Sequence, residues 1–191
     1  TALAVLEDSG VRAAITPHWT RADRVQALIA LETNAFLPID PLRRAAAGLP
    51  DAGAAMAFAR AMKAGNDERD RLVAALGDAP RVVSYLSMRE LRRALYALGL
   101  EAFEDRAFLA WAQEDNPRTH AQWRGLFALA RGWSRPHFAL TGAQVMAAGV
   151  PAGPKVGAVM REVEAWWIDA DFPNDPLALV ERLKAVAQAL G

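Results

Sequence analysis

The residues best suited to chemistry lie between positions 149 and 157, where glycine, proline and a lysine are concentrated. Pro154 is typical of the first turn of a helix, and a helix N-terminus attracts anions through its N–H groups and its dipole. Lys155 adds a positive charge there, and Gly153 has no side chain to keep a phosphate from the backbone. These residues predict a phosphate-binding turn. An alternative is a tight corner between two helices, where glycines allow close packing. Both interpretations can be correct at once.

A second cluster combines three arginines with an aromatic residue at spacings that share one face of a helix: Arg89, Arg92, Arg93 and Tyr96. Guanidinium groups beside an aromatic ring can hold a phosphate backbone and stack on a base or a sugar. The alternative is a solvated face that pairs with acids such as Glu101. The cluster therefore gives further candidate RNA contacts.

Other arginines occur close together in the sequence. Arg43 and Arg44 are adjacent and are also candidate RNA contacts, whereas the pattern around Arg21 and Arg24 indicates a solvated helix face.

The acidic and histidine residues predict no catalytic or metal-binding site. Asp169 and Asp171 form a D-x-D pattern, and paired carboxylates hold the two magnesium ions in nucleotidyl transfer. Here, however, the pattern follows a helix, and no Gly-Ser phosphate loop precedes it. His18, His120 and His137 lack the spacing of metal ligands. We therefore expect catalytic residues and bound cofactors to be absent from this chain.

Composition indicates a globular protein of one or two domains. The chain has 191 residues, of which 53% are hydrophobic, and its formal net charge is zero. The absence of cysteine excludes disulfides and thiolate metal sites. No apolar run is long enough for a membrane span and no signal peptide is recognisable, so we expect a cytoplasmic protein without a membrane partner. The start at Thr1, without Met, suggests a fragment.

The periodicity and the capping signals predict an all-α protein, a multi-helix bundle with short loops and no substantial sheet. Residues 81–86 are the one β-like run. A boundary is expected near residues 134–136. The expected helices cover approximately residues 1–8, 21–34, 41–47, 51–64, 66–76, 87–98, 100–113, 120–133, 142–148, 154–168 and 175–189.

Several segments resemble, in order, the C-terminal region of bacterial tRNA nucleotidyltransferases, the CCA-adding enzymes and their poly(A) polymerase relatives. The most specific is ALTGAQVMAAGVPAGPKVG at 139–157, which is similar to the tail motif of that family. One departure is Gln144, where the family usually has an acidic residue. The other segments are LEDSGVRAAITP at 6–17, DPLRRAAAGLP at 40–50, NDERDRL at 66–72 and LRRALYALG at 91–99.

The resemblance implies a modular organisation, with residues 1–17 as the end of the neck, 18–135 as the helical body and 136–191 as the tail. In the family a head domain binds Mg²⁺ and transfers CMP and AMP from CTP and ATP, and body and tail grip the tRNA. This chain carries neither the head motifs nor the E-D-x-x-R pattern of the neck. The resemblance thus implies tRNA and the protein's own head as partners, and no activity for the chain alone. The alternative function is a helical protein-interaction module without RNA binding.

Overall fold

The computed structural model describes Ser9, residues 16–114 and residues 116–190. Within these residues the protein has nine α-helices, one 3₁₀ turn and no β-strand, which confirms the predicted all-α class. The helix expected over residues 1–8 lies outside the described residues. The helices are α1 (Ala22–Asn34), α2 (Pro41–Ala47), α3 (Ala52–Ala61), α4 (Asn66–Ala75), α5 (Met88–Glu114), α6 (His120–Arg131), α7 (Gly142–Ala147), α8 (Pro154–Asp169) and α9 (Pro176–Leu190), and the 3₁₀ turn Pro117–Thr119 precedes α6.

Most helices begin where a short polar side chain satisfies an N–H group of the first turn, as the sequence predicted. The side chain of Asp40 accepts a hydrogen bond from the backbone N–H of Arg43 at 3.0 Å and starts α2. Asp51 starts α3 in the same way. At the start of the last helix, the side chain of Asp175 accepts a hydrogen bond from the N–H of Leu177 at 2.9 Å.

The chain divides into two compact units, Thr1–Trp133 and Ser134–Gly191, called unit 1 and unit 2 below. In unit 1, α5 packs against α1, α4 and α6, and α3 packs against α4. Gly99 has φ 74° and ψ 169°, so α5 consists of two helical segments that meet at this residue. The sequence predicted the same division, because glycine readily adopts this conformation.

The core of unit 1 contains an aromatic cluster on the C-terminal half of α5 and on α6. The ring of Trp111 lies 6.2 Å from that of Trp123 and 6.1 Å from that of Phe127, and all three side chains are buried. Phe108 lies 4.4 Å from Phe127 in the same cluster. Offset and tilted ring pairs of this kind stabilise a core beyond the area that they bury.

Unit 2 has a separate core, in which α8 packs against both α7 and α9. Val145, Val159 and Val163 have no exposed surface. Trp167 is buried and the adjacent Trp166 is half-buried, as expected for neighbours that point about 100° apart on a helix. In the described part of the chain no helix is both long and apolar enough to cross a membrane.

Candidate nucleic-acid interface

The tail-like motif folds into α7, a turn over residues 148–153, and α8. Thr141 caps α7 through a hydrogen bond from the N–H of Gln144. The side-chain oxygen of Gln144 in turn accepts hydrogen bonds from the N–H of Thr141 at 2.8 Å and from its hydroxyl at 2.9 Å. This reciprocal arrangement is a capping box, which Gln completes as well as Glu does. The absence of an acid at position 144 therefore does not impair the start of α7.

Two glycines of the turn are required by backbone conformation and not by close packing. Gly149 has φ 95° and Gly153 has φ 132°, values that residues with a side chain rarely adopt. A Cβ atom added to either glycine would meet no atom within 4 Å. The explanation of a tightly packed corner therefore does not apply to these two positions. The backbone at Gly149 and Gly153 is instead open to an approaching group.

The first turn of α8 offers fewer backbone donors than the sequence predicted. Pro154 has no N–H, and the N–H of Val156 donates to the carbonyl of Gly153 at 3.1 Å. Gly153 and Lys155 are both exposed. Attraction of an anion to this turn thus depends mainly on the Lys155 ammonium group and on the dipole of a 16-residue helix.

The basic face of α5 is only partly as predicted. Arg89 is exposed and Arg92 and Arg93 are half-buried. The Nε of Arg92 donates to the carbonyl of Met88 at 3.3 Å. Tyr96 is buried, with 9% of its surface exposed, so its ring cannot stack on a base. This corrects the prediction for Tyr96 and leaves Arg89 as the most accessible residue of the face.

Arg43 is also removed from the candidate RNA contacts, because the fold buries it. Only 6% of its surface is exposed, its Nε donates to Asp105 at 2.9 Å, and its guanidinium lies 4.0 Å from the ring centroid of Phe108. Arg44 is half-buried and forms an ion pair of 2.7 Å with the buried carboxylate of Glu32. Both residues neutralise buried acids, so the adjacent arginines stabilise unit 1 and do not form a basic surface.

Asp105 is the centre of a larger ion-pair network. Besides Arg43, it accepts hydrogen bonds from Arg71 at 2.7 Å and 3.0 Å, and Arg71 also donates to Asp40 at 2.6 Å. The hydrogen bond to Asp105 is the main reason that the pKa of Arg71 is raised, against the opposing effect of burial. Burial tends to raise the pKa of Asp40, but the hydrogen bonds from Arg71 and from the Arg43 N–H outweigh it, so this pKa is lowered.

The acidic and histidine side chains that the structure describes are not grouped as in a metal site. Asp169 lies at the end of α8 and Asp171 two residues later, beyond the helix. Within the described ranges, no group of three or more His, Asp or Glu side chains could hold a metal ion.

The sequence patterns did not indicate the contacts of two half-buried arginines in unit 1. Arg24, expected on a solvated face, donates to the carbonyl of Leu49 at 3.1 Å. Arg106 donates to the carbonyls of Ala74 and Pro80 at 2.7 Å and 3.1 Å. Each contact joins residues at least 25 positions apart, so no local spacing could have indicated it.

Comparisons with known proteins leave the family open. No protein-family model matches the chain. A curated relative from Rhodospirillum rubrum is described as an uncharacterized 28 kDa protein in the petA 5′ region. It is 41% identical over 87 residues, which cover 42% of this chain and 31% of the relative. The matched region thus spans less than a third of that protein.

Replacement by alanine of the two glycines at the start of α8 should have opposite effects on the free energy of unfolding. Gly153→Ala should lower the free energy of unfolding by about 1–3 kcal/mol, because its backbone conformation is almost restricted to glycine. Gly157→Ala should raise it by about 0.5–1 kcal/mol, because glycine within a helix is unfavourable and the added Cβ would meet only the end of Arg161, at 3.5 Å. Urea denaturation of both variants tests this pair. Equal effects would contradict the conformational role of Gly153.

Proposed function

We propose that this chain is the RNA-binding helical part of a tRNA nucleotidyltransferase or poly(A) polymerase. It would hold the phosphate backbone of a tRNA by shape and charge, while nucleotidyl transfer belongs to a head domain whose motifs are not among these residues. The observation that carries the proposal is the turn before α8. There an exposed lysine follows two glycines that have positive φ angles and no atom within 4 Å of the position of a Cβ.

Support for the proposal also comes from the order of the family-like segments and from Arg89, which is exposed on α5. Three of the original candidates play no part in it, since Arg43 and Tyr96 are buried and Arg44 pairs with the buried carboxylate of Glu32. The proposed contacts are therefore Lys155 and Gly153 first, and Arg89, Arg92 and Arg93 second.

A specific feature of unit 2 favours the alternative function, a protein-interaction module. A cavity of about 840 Å³ is lined largely by apolar side chains, among them Leu140, Trp167 and Phe172. Val180 of α9 lies in the wall of this cavity and is 42% exposed, and Leu177 of the same helix is 74% exposed. Exposed apolar patches of this kind often mark sites of protein contact.

The test is tRNA binding by the 191-residue chain at two salt concentrations, with double-stranded DNA as the competitor. Lys155→Ala should weaken binding to all tRNAs about equally and reduce the slope of log K against log salt by about 1, because one phosphate contact is lost. Lys155→Arg should retain most of the affinity.

Lys184→Ala is the matched control, because it removes the same charge from an exposed position of unit 2 outside the turn. If Lys155→Ala and Lys184→Ala weaken binding equally, the turn is not the site. Binding that is absent at low salt would contradict the RNA proposal. A protein partner that binds independently of salt and is lost in Leu177→Asp would support the alternative.

A further inference from the structure

A row of three adjoining cavities in unit 1 contains an excess of positive charge that the proposed function does not use. Their volumes are about 510, 200 and 440 Å³, and Gln113 of α5 lies in the wall of each. Arg24 is shared by the first and second cavities, and Arg81 by the second and third. Arg106 also lines the second, central cavity. Residues from α1, α5 and the segment after α4 thus converge on one groove.

Two arginines of the central cavity, Arg24 and Arg106, differ from Arg43, Arg44 and Arg71 of the same unit. Arg43, Arg44 and Arg71 are each bound by a carboxylate at 2.6–2.9 Å. Arg24 and Arg106 instead donate to backbone carbonyls, and in the described part of the chain neither forms an ion pair. Carbonyl groups satisfy N–H donors but do not neutralise a charge. The two charges are therefore held in the fold without full compensation.

The local electrostatics agree with this description. Burial lowers the pKa of Arg24, and the neighbouring charge of Arg21 lowers it further, with a partial offset from Asp23. Burial also lowers the pKa of Arg106, with Asp78 as the opposing charge. Among the described residues in the wall of the central cavity, Asp78 is the sole carboxylate, against three guanidinium groups. An anion in this cavity would stabilise the charged arginines.

The volumes and the lining residues of the cavities indicate which anion fits. A cavity of about 200 Å³ has room for a phosphate group, and planar guanidinium groups bind phosphate through paired hydrogen bonds. The adjoining cavity of about 440 Å³ is lined by Tyr85, whose side chain is 75% exposed. An exposed aromatic ring next to a phosphate site is suited to stack on a nucleobase.

We propose that the central cavity binds the phosphate of a nucleotide through Arg24, Arg81 and Arg106, and that Tyr85 stacks on the attached base. The nucleotide can be free or can be the end of a single-stranded RNA, since both present the same phosphate and base. The site lies in unit 1 and does not involve Lys155 or α8, so it is independent of the proposed function.

The experiment is a titration of the 191-residue chain with AMP, inorganic phosphate and adenosine, followed by backbone amide NMR. AMP should bind more tightly than phosphate, adenosine should bind most weakly, and the amides of Gly77 and Arg81 should shift. Arg81 is exposed, so Arg81→Ala should fold normally and weaken both AMP and phosphate about tenfold. Tyr85→Ala should weaken AMP about tenfold and leave phosphate unchanged.

Arg60→Ala is the control, because this exposed arginine of α3 lines none of the three cavities. Equal loss of AMP binding in Arg60→Ala and Arg81→Ala would overturn the proposal, as would adenosine binding as tightly as AMP.

A single-stranded oligonucleotide that binds far more tightly than AMP, and is sensitive to both Arg81→Ala and Tyr85→Ala, would identify an RNA end as the source of the phosphate. Comparable affinities for the oligonucleotide and for AMP would identify a free nucleotide as the source of the phosphate. Loss of AMP binding in Arg81→Ala with unchanged tRNA affinity would separate this site from the turn before α8.

Discussion

Replacing Asp105 with alanine should lower the free energy of unfolding by about 3–5 kcal/mol. Its carboxylate is 1% exposed and accepts hydrogen bonds from both Arg43 and Arg71. The substitution leaves the charge of Arg43 buried without its partner, and a buried, unpaired charge is one of the most unfavourable features that a single change can create. The side chain of Arg71 is 16% exposed and keeps Asp40, so most of the effect arises at Arg43.

Equilibrium urea denaturation measures this change, and Asp70→Ala provides the comparison. Asp70 also pairs with an arginine, Arg69, but its side chain is 65% exposed. Ion pairs that are exposed to solvent contribute little to stability, so Asp70→Ala should change the free energy of unfolding by less than about 1 kcal/mol. Similar effects of the two substitutions would show that burial of the Asp105 network does not determine its contribution.

The ends of the helices could be predicted from the sequence because the interactions that set them are local. Asp40 and Arg43, Ser87 and Glu90, and Thr141 and Gln144 are each three residues apart. A capping side chain reaches only the first turn of its own helix, so its partner can be found by counting. The kink at Gly99 was predictable for the same reason, since the residue type alone favours the break.

The roles of individual arginines could not be predicted, because they depend on contacts between distant parts of the chain. Arg43 and Asp105 are 62 positions apart, and Arg71 and Asp40 are 31 positions apart. In the sequence, Arg43 and Arg89 are equivalent charged residues on amphipathic helices. Arg43 is buried because α2 packs against α5, whereas Arg89 stays exposed.

The glycines of the tail-like motif show a different limit of sequence reasoning. A glycine can be required because a neighbour approaches closely or because φ is positive, and the residue letter is the same in both cases. The structure assigns Gly149 and Gly153 to the second class. This assignment strengthens the expectation of an open turn, while Pro154 and the internal hydrogen bond of Val156 weaken the expectation of many free donors.

Trp111 gives the second large effect, because its large side chain is buried in the aromatic cluster of unit 1. Trp111→Ala should lower the free energy of unfolding by about 3–5 kcal/mol, since it removes a side chain that is 1% exposed and leaves a cavity among Phe108, Trp123 and Phe127. Half-buried Trp166 is the control, and its replacement by alanine should cost clearly less.

A second substitution at Trp111 separates packing from hydrogen bonding. The Nε1 of Trp111 is buried and has no acceptor among the described residues, whereas the Nε1 of Trp123 donates to Glu114 at 2.6 Å. Trp111→Phe keeps an aromatic ring in the cluster and removes an unsatisfied donor, so it should cost far less than Trp111→Ala. Equal losses for the two variants would contradict this account of the core. Unchanged stability of Trp111→Ala together with weaker tRNA binding would instead identify Trp111 as a stacking platform, because only an exposed ring can be removed without leaving a cavity.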